Sequence, residues 1–151
     1  LSAGSYLLRE NKVNRNPLRK EIQKQIKIEH PKGLGLNKVL QIQFTGPPTN
    51  PKADMKNVVI VPPSGIDRSP CGTGTSARMA DLFAKGKLHI GEEFVHESII
   101  GTIFRGKIVA KTREGKYPAI IPEVSGKAYI TGFNQLIYEN GDPFSKGFTL
   151  A

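Results

Sequence analysis

Residues 57–86 have the sequence NVVIVPPSGIDRSPCGTGTSARMADLFAKG, which predicts a strand, a loop and a helix in succession. The apolar run at 57–61 is typical of a strand that is buried on both faces or nearly so. The prolines, glycines and serines that follow exclude regular structure. A helix over residues 77–85 is predicted next, and Gly86 ends it. Its apolar stripe consists of Met79, Leu82 and Phe83.

The chain before this stretch is predicted to contain two strands and a helix. Residues 5–10 are a short candidate strand, and residues 40–44 form a half-buried strand because apolar residues alternate with glutamines there. Between them, Asn16-Pro17 is typical of a helix start. The helix is expected to run to about His30, because a proline follows. Its apolar stripe consists of Leu18, Ile22 and Ile26. Residues 46–56 are loop by composition.

The chain after residue 86 is predicted to be β-structure that glycines divide into separate strands. The candidate strands cover residues 94–100, 107–112, 117–121 and 127–131. Together with the two helices, they predict an α+β fold built around a sheet or partial barrel. A length of 151 residues suits one compact domain with a core of its own.

The composition disfavours several classes of protein. Cys71 is the single cysteine, so no internal disulfide can form, and the three scattered histidines show no metal-ligand spacing. We therefore expect no metal site. The formal net charge of +9 raises nucleic acid as a partner, but the lysines are spread along the chain and no nucleic-acid motif is present. We expect a basic surface without nucleic-acid binding.

The sequence also carries information on location. No apolar run is long enough to cross a bilayer and no signal-peptide pattern is present, so no membrane association is expected. A reduced, cytoplasmic compartment is the default for such a chain. The sequence opens with Leu1-Ser2-Ala3 and no methionine, so either its start was processed or trimmed or part of the polypeptide is missing, and we expect the second.

The loop before the second helix, DRSPCGTGTS at residues 67–76, is where chemistry is expected. Cys71 lies close to a helix N terminus, where the helix dipole and free N–H groups favour a thiolate. Gly72 and Gly74 let backbone amides approach a ligand closely and cradle an anion such as a carboxylate. Three hydroxyls are also present, on Thr73, Thr75 and Ser76. They are expected either to bind the same anion or to provide one cap for the helix.

A thiolate beside a carboxylate cradle indicates removal of the α-proton of an amino acid. Amides aimed at the carboxylate oxygens stabilise the enediolate-like transition state more than the ground state, and no cofactor is then required. The alternative is that Cys71 is a small buried apolar residue, which is the commoner role of a lone cysteine. The glycine spacing matches neither a Walker A loop nor a dinucleotide fingerprint.

The stretch DRSPCGTGTSARMA, residues 67–80, resembles the second cysteine motif of the proline racemases and 4-hydroxyproline 2-epimerases. Similar segments follow in the same order as in that family. They are His96–Thr102 with Phe104, Ile121-Pro122, Gly126–Ala128, Ile130–Gly132, Asp142–Phe144 and Gly147-Phe148. The resemblance is good over residues 57–148 and looser over residues 1–56, where Gly4-Ser5-Tyr6 is similar to the start of the family's second domain.

The resemblance implies the fold of the diaminopimelate epimerases. Two similar domains, each a β-barrel-like sheet wrapped on a central helix, close over the substrate in that fold. Residues 1–151 would be the second, C-terminal domain, with residues 76–85 as its central helix. The missing first domain would be its partner, and the family commonly forms homodimers. Each domain supplies one cysteine, so that one thiolate removes the α-proton and the other thiol returns a proton to the opposite face.

Carried over onto this sequence, the family's pattern makes Cys71 one of the two acid/base residues. The amides of Gly72, Thr73 and Gly74 would hold the substrate carboxylate. Asp67 would lie near the substrate nitrogen and the thiol, and its alternative role is a turn or cap carboxylate. The first cysteine of the family, in a Cys-Gly-His motif, has no counterpart here, so we expect this chain alone to be catalytically incomplete. An isolated half should also expose an apolar inner face.

The expected activity is racemisation or epimerisation at the α-carbon of proline or 4-hydroxyproline. Some racemases have phenylalanine where this chain has Val61, so the resemblance does not choose between the two substrates. The related trans-3-hydroxy-L-proline dehydratases typically have threonine at the position of Cys71, which makes dehydration the alternative reaction. A fragment that only binds ligand or partner is the other alternative. His96 is expected to be structural, because an apolar strand surrounds it.

Overall fold

A computed structural model of the protein describes residues 15–35, 37–61 and 65–147. These residues form two helices and six strands, which confirms the predicted α+β class. The helices are α1 (Arg15–Gln25) and α2 (Gly72–Ala84). The strands are β1 (Ile42–Gly46), β2 (Met55–Val61), β3 (Gly65–Ile66), β4 (Glu93–Glu97), β5 (Ile103–Glu114) and β6 (Tyr117–Gly126). The candidate strand at residues 5–10 lies outside the described residues.

The six strands form one mixed sheet. Its order is β1-β2-β4-β5-β6, and the short β3 pairs with β2. The β2–β4 pair is parallel and places Met55 opposite His96, whereas the other pairs are antiparallel. A bulge between Ile108 and Ala110 interrupts the long β5–β6 hairpin. The parallel pair at the centre of the sheet brings β2, which leads toward the glycine-rich loop, beside β4.

The core lies between α2 and the sheet. Met79 on α2 is fully buried and packs with Leu88, Phe94 and Ile108. The predicted helical stripe is confirmed, since Leu82 and Phe83 are partly buried against the same cluster. Removing this apolar surface from water holds the helix on the sheet. Within the described ranges, neither helix has the length and apolar character needed to cross a membrane.

The helix α1 is shorter than predicted, because it ends at Gln25 and not near His30. Two of the three residues in its apolar stripe are largely exposed, Leu18 at 41% and Ile26 at 53%. A short helix depends on packing of its apolar face, since helix propensity alone is marginal at this length. The apolar sequence pattern therefore continues beyond the part of the chain that forms the helix.

The β-structure after α2 also differs from the prediction. The strand predicted at 94–100 ends at Glu97, because Ser98 opens a tight turn in which its N–H donates to the Thr102 carbonyl. The hairpin strands β5 and β6 are longer than the predicted 107–112 and 117–121. Residues 127–131 were expected to form a strand and do not. Within the described chain no strand lies beside them, and a strand needs a neighbour to pair its backbone groups.

Candidate active site

Cys71 stands at the N terminus of α2, immediately before Gly72. Its φ of 63° makes it the one non-glycine residue with positive φ among the described residues. Such a conformation costs about 1–3 kcal/mol and persists only where the surroundings hold it. The helix begins four or five residues earlier than predicted. Its first turn contains the glycines and threonines that the sequence assigned to the preceding loop.

The Cys71 thiol faces the first turn of the helix. Sγ accepts a hydrogen bond from the Gly74 N–H at 3.3 Å and lies 3.3 Å from Thr73 Oγ1. The sulfur therefore caps the helix, a role for which the sequence offered a hydroxyl as one alternative. Cys71 is 7% exposed, whereas Gly72 and Thr73 are exposed. The predicted neighbourhood of thiol, glycines and threonine is present at the surface end of α2.

The two glycines beside Cys71 occupy different surroundings. A Cβ built on Gly74 would lie 3.1 Å from Gln43 Oε1, 3.2 Å from Val59 Cγ2 and 3.3 Å from Cys71 Cβ. Gly74 therefore lets the helix start approach the sheet closely. A Cβ on Gly72 would meet nothing within 4 Å, so the space beside Gly72 is open. The prediction that Gly72, Thr73 and Gly74 hold a carboxylate stays a prediction.

Asp67 connects β3 to the Cys71 turn. Its N–H donates to the Val59 carbonyl, and its Oδ1 accepts from both the N–H and the hydroxyl of Ser69, at 2.8 and 2.9 Å. The Ser69 hydroxyl oxygen in turn accepts from the Cys71 N–H at 3.0 Å. One oxygen of Asp67 thus fixes the turn, which is the alternative role that the sequence left open for this carboxylate.

The hydroxyls of Thr75 and Ser76 were expected to face an anion or cap the helix, and both are bonded elsewhere. Ser76 Oγ donates to the Gly72 carbonyl at 2.8 Å, within the helix. Thr75 is fully buried, and its Oγ1 lies 3.3 Å from the Pro70 carbonyl oxygen and 2.9 Å from His96 Nδ1. Thr75 therefore points into the protein, away from the open space beside Gly72.

The sequence did not identify a buried polar cluster behind the Cys71 turn. Asn57 on β2 donates from Nδ2 to the Pro70 carbonyl at 2.6 Å, and the same nitrogen lies 3.2 Å from His96 Nδ1. Asn57, Thr75 and His96 are each at most 2% exposed. Burial, followed by the positive charge of Arg78, lowers the pKa of His96 to about 4, so its ring is neutral at pH 7. The available signal was one polar residue at the start of the apolar run at 57–61.

The other histidines lie apart from this cluster. His30 accepts the Lys32 N–H in a local turn after α1, and His89 is exposed in a loop. In the part of the chain that the structure describes, no group of three or more His, Cys, Asp or Glu side chains is arranged to hold a metal ion.

The proline racemase family model matches residues 10–149 of this chain. The chain is 47% identical over 145 residues to proline racemase A of Trypanosoma cruzi (strain CL Brener) and 47% identical over 133 residues to the proline racemase of Clostridioides difficile. It is 46% identical over 134 residues to the 4-hydroxyproline 2-epimerase of Brucella suis biovar 1 (strain 1330). These matches cover 88–89% of this chain but only 34–40% of the length of the relatives.

Solved structures show the same similarity. A hydroxyproline epimerase from Agrobacterium vitis, with trans-4-hydroxy-L-proline bound, matches with a TM-score of 0.71 and 32% identity. A probable proline racemase from Agrobacterium radiobacter K84, with carbonate bound, matches with a TM-score of 0.71 and 34% identity. Each match covers 88% of this chain and 38% of the solved chain.

Proposed function

This chain belongs to the proline racemase family, and we propose that residues 1–151 are the second, C-terminal domain of a cofactor-independent amino-acid racemase or epimerase. Proline and 4-hydroxyproline are the proposed substrates. The observation that carries the proposal is the position of the Cys71 thiol, which accepts the Gly74 N–H at the start of α2. Hydrogen-bond donors and a helix N terminus beside a thiol favour the thiolate that proton abstraction needs.

In the proposed reaction, Cys71 exchanges a proton with the substrate α-carbon. As a thiolate it takes the α-proton and becomes a thiol, and the electron pair left on the α-carbon is delocalised into the carboxylate. A second thiol, supplied by the first domain, returns a proton to the opposite face of the carbon. In the reverse direction the Cys71 thiol is the donor. Proton removal and return balance, so the configuration at the α-carbon is inverted without a redox partner.

The substrate carboxylate is proposed to bind at the amides of Gly72 and Thr73, with Gly74 beside them. Two observations support this position. Both Gly72 and Thr73 are exposed in the first turn of α2, where backbone N–H groups have no intrahelical acceptor, and the space beside Gly72 is open. Amides held there would stabilise the charge that develops on the carboxylate in the transition state. Asp67, which is partly exposed, is proposed to face the substrate nitrogen.

The proposed partner of this domain is the missing first domain of the same enzyme, in a fold like that of the diaminopimelate epimerases. The whole enzyme is further proposed to be a cytoplasmic homodimer. The apolar side chains of the segment after β6 support a partner of this kind, because six of them are at least 74% exposed. They are Tyr129, Ile130, Phe133, Leu136, Ile137 and Tyr138. Large apolar side chains exposed together in one segment are typical of interaction sites.

The test is exchange of the substrate α-proton in D2O, followed by proton NMR. L-proline and trans-4-hydroxy-L-proline are incubated with this chain alone and with a chimera in which the N-terminal part of the C. difficile relative precedes it. The chimera supplies the second thiol. We expect exchange with the chimera, and a Cys71→Ser chimera should lose at least about 10²-fold in rate, the smaller end of what general acid–base catalysis contributes.

Each outcome of this experiment bears on the proposal. Exchange by the chimera but not by the chain alone supports a catalytically incomplete half, and the substrate that exchanges identifies the specificity. A fully active Cys71→Ser chimera would contradict the role of the thiol. Production of an imine that a pyrroline reductase consumes, with 3-hydroxyproline as substrate, would replace the proposal by the dehydratase alternative.

A further inference from the structure

The peptide unit between Pro70 and Cys71 is held at both of its polar groups. Its N–H, on Cys71, donates to Ser69 Oγ at 3.0 Å. Its carbonyl, on Pro70, accepts from Asn57 Nδ2 at 2.6 Å and lies 3.3 Å from Thr75 Oγ1. Because a peptide unit is planar, two fixed ends set the orientation of the whole plane.

The peptide unit on the other side of Cys71 is fixed as well. The Cys71 carbonyl accepts the Thr75 N–H at 2.8 Å, which is the first hydrogen bond of α2. The planes before and after the Cys71 α-carbon are thus both determined, and together they impose the φ of 63°. That backbone conformation places Cβ of Cys71 beside the helix start, from where Sγ accepts the Gly74 N–H. The direction of the thiol therefore depends on how the Pro70 carbonyl is held.

His96 completes this arrangement from the sheet. Its Nδ1 is 2.9 Å from Thr75 Oγ1 and 3.2 Å from Asn57 Nδ2, and both of these atoms also lie within hydrogen-bond distance of the Pro70 carbonyl oxygen. The ring is fully buried on β4, where water does not compete for Nδ1. Because losing a hydrogen-bond partner inside the protein is costly, the contacts of Nδ1 restrict the orientation of Thr75 and Asn57.

We propose that Asn57, Thr75 and His96 are positioning residues for Cys71, which hold the Pro70–Cys71 peptide so that the thiol points at the helix N terminus. None of the three side chains touches the proposed substrate; they act through the backbone of the cysteine. The significance for catalysis rests on the proposed function of Cys71, whereas the positioning itself is a property of this chain.

The test is the rate at which iodoacetamide alkylates Cys71, the single thiol, in the folded 151-residue chain. Thr75→Val removes the hydroxyl and keeps the shape of the side chain, and Thr75→Ser keeps the hydroxyl. His96→Leu and His96→Asn form a second pair, in which the asparagine retains a hydrogen-bonding atom close to the backbone. Ile108→Val is the control, because this buried core substitution is on β5 and destabilises the fold without contacting the Cys71 turn.

We expect Thr75→Val and His96→Leu to be alkylated about fivefold to tenfold more slowly than the unaltered chain, since the displaced thiol loses its contact with the Gly74 N–H. Thr75→Ser and His96→Asn should recover most of the rate, and Ile108→Val should retain it. Circular dichroism at the same temperature establishes that each variant is folded. Should Thr75→Val or His96→Leu react as fast as Ile108→Val or faster, the cluster only supports the fold and the proposal is wrong.

This outcome is independent of the exchange experiment. Slow alkylation of the Thr75→Val variant together with an inactive chimera would retain the positioning of Cys71 and reject its proposed catalytic role. Unchanged alkylation together with an active chimera would retain the catalytic role and reject the positioning.

Discussion

Thr75 Oγ1, in the first turn of α2, lies 2.9 Å from His96 Nδ1 on β4. Both side chains are fully buried, so the contact joins α2 to the middle of the sheet where water cannot compete. The same hydroxyl lies beside the carbonyl that precedes Cys71. This pair therefore contributes both to holding the helix on the sheet and to the geometry of the cysteine turn.

Stability should fall as the pH is lowered from 6.5 to 4, because of His96. Burial, followed by the charge of Arg78, lowers its pKa from 6.5 to about 4. The unfolded chain, with the ordinary value, binds the proton over this range while the folded chain does not. At 1.36 kcal/mol per pKa unit, the free energy of unfolding should decrease by about 3 kcal/mol. Urea unfolding at pH 7, 5.5 and 4.5 measures the slope.

The matched control for that slope is the exposed His89. His89→Asn should keep the dependence on pH, whereas His96→Asn should be less stable at pH 7 and almost independent of pH between 6.5 and 4.5. A His96→Asn variant with the slope of the unaltered chain would show that another group is responsible.

Glu97 should contribute stability that is lost at lower pH. Burial raises the pKa of this carboxyl, but hydrogen bonds from the Asn50 N–H, from the hydroxyl and N–H of Thr49, and from Lys56 outweigh burial and lower it to about 2. The contribution is complete above the unfolded value of 4.5 and disappears as the pH falls toward 2. Glu97→Gln should cost about 3 kcal/mol at pH 7 and remove this acid-dependent component. Acid titration of circular dichroism measures both.

The comparison variant for Glu97 is Glu123→Gln, at an exposed position on β6. We expect it to change the free energy of unfolding by less than about 0.5 kcal/mol, as surface substitutions usually do. Equal effects of the two substitutions would show that the hydrogen bonds between Glu97 and residues 49 and 50 do not stabilise the fold.

Gly74→Ala and Gly72→Ala should have opposite effects on stability. The new methyl group at residue 74 would lie 3.2 Å from Cγ2 of Val59, which is buried and cannot move away, so a cost of about 1–3 kcal/mol is expected. At residue 72 the methyl meets nothing within 4 Å, and replacing glycine in a helix is worth up to about 1 kcal/mol. The urea unfolding midpoints of the two variants measure these effects. A Gly74→Ala variant as stable as the unaltered chain would contradict the close approach of helix and sheet.

Gly106 and Met79 should be energetically coupled. A Cβ on Gly106 would lie 2.6 Å from Met79 Sδ, in the fully buried core. We expect Gly106→Ala to cost about 1–3 kcal/mol and Met79→Ala about 2–5 kcal/mol. The double variant should lose less stability than the sum of the two single losses, because the methyl group fills part of the space that methionine leaves. A double-mutant cycle measures this coupling, and strict additivity would refute the contact.

Local sequence patterns predicted the elements that local forces decide. The apolar run at 57–61 lies within β2, and the Met79 stripe does face the core. The patterns were wrong where a partner was needed. Residues 127–131 have the composition of a strand but no described strand pairs with them, and α1 ends before Ile26, the last residue of its predicted stripe, which is 53% exposed.

By itself, the sequence determined the α+β class, the glycine-rich turn at Cys71 and the helix after it, because each depends on residues close together in the chain. Only the tertiary structure decided which polar side chains lie behind the cysteine. Asn57, Thr75 and His96 come from β2, α2 and β4, and the parallel pairing of β2 with β4 brings them together. No local pattern encodes which strands become neighbours, because that choice depends on how the whole apolar surface of the chain is buried at once.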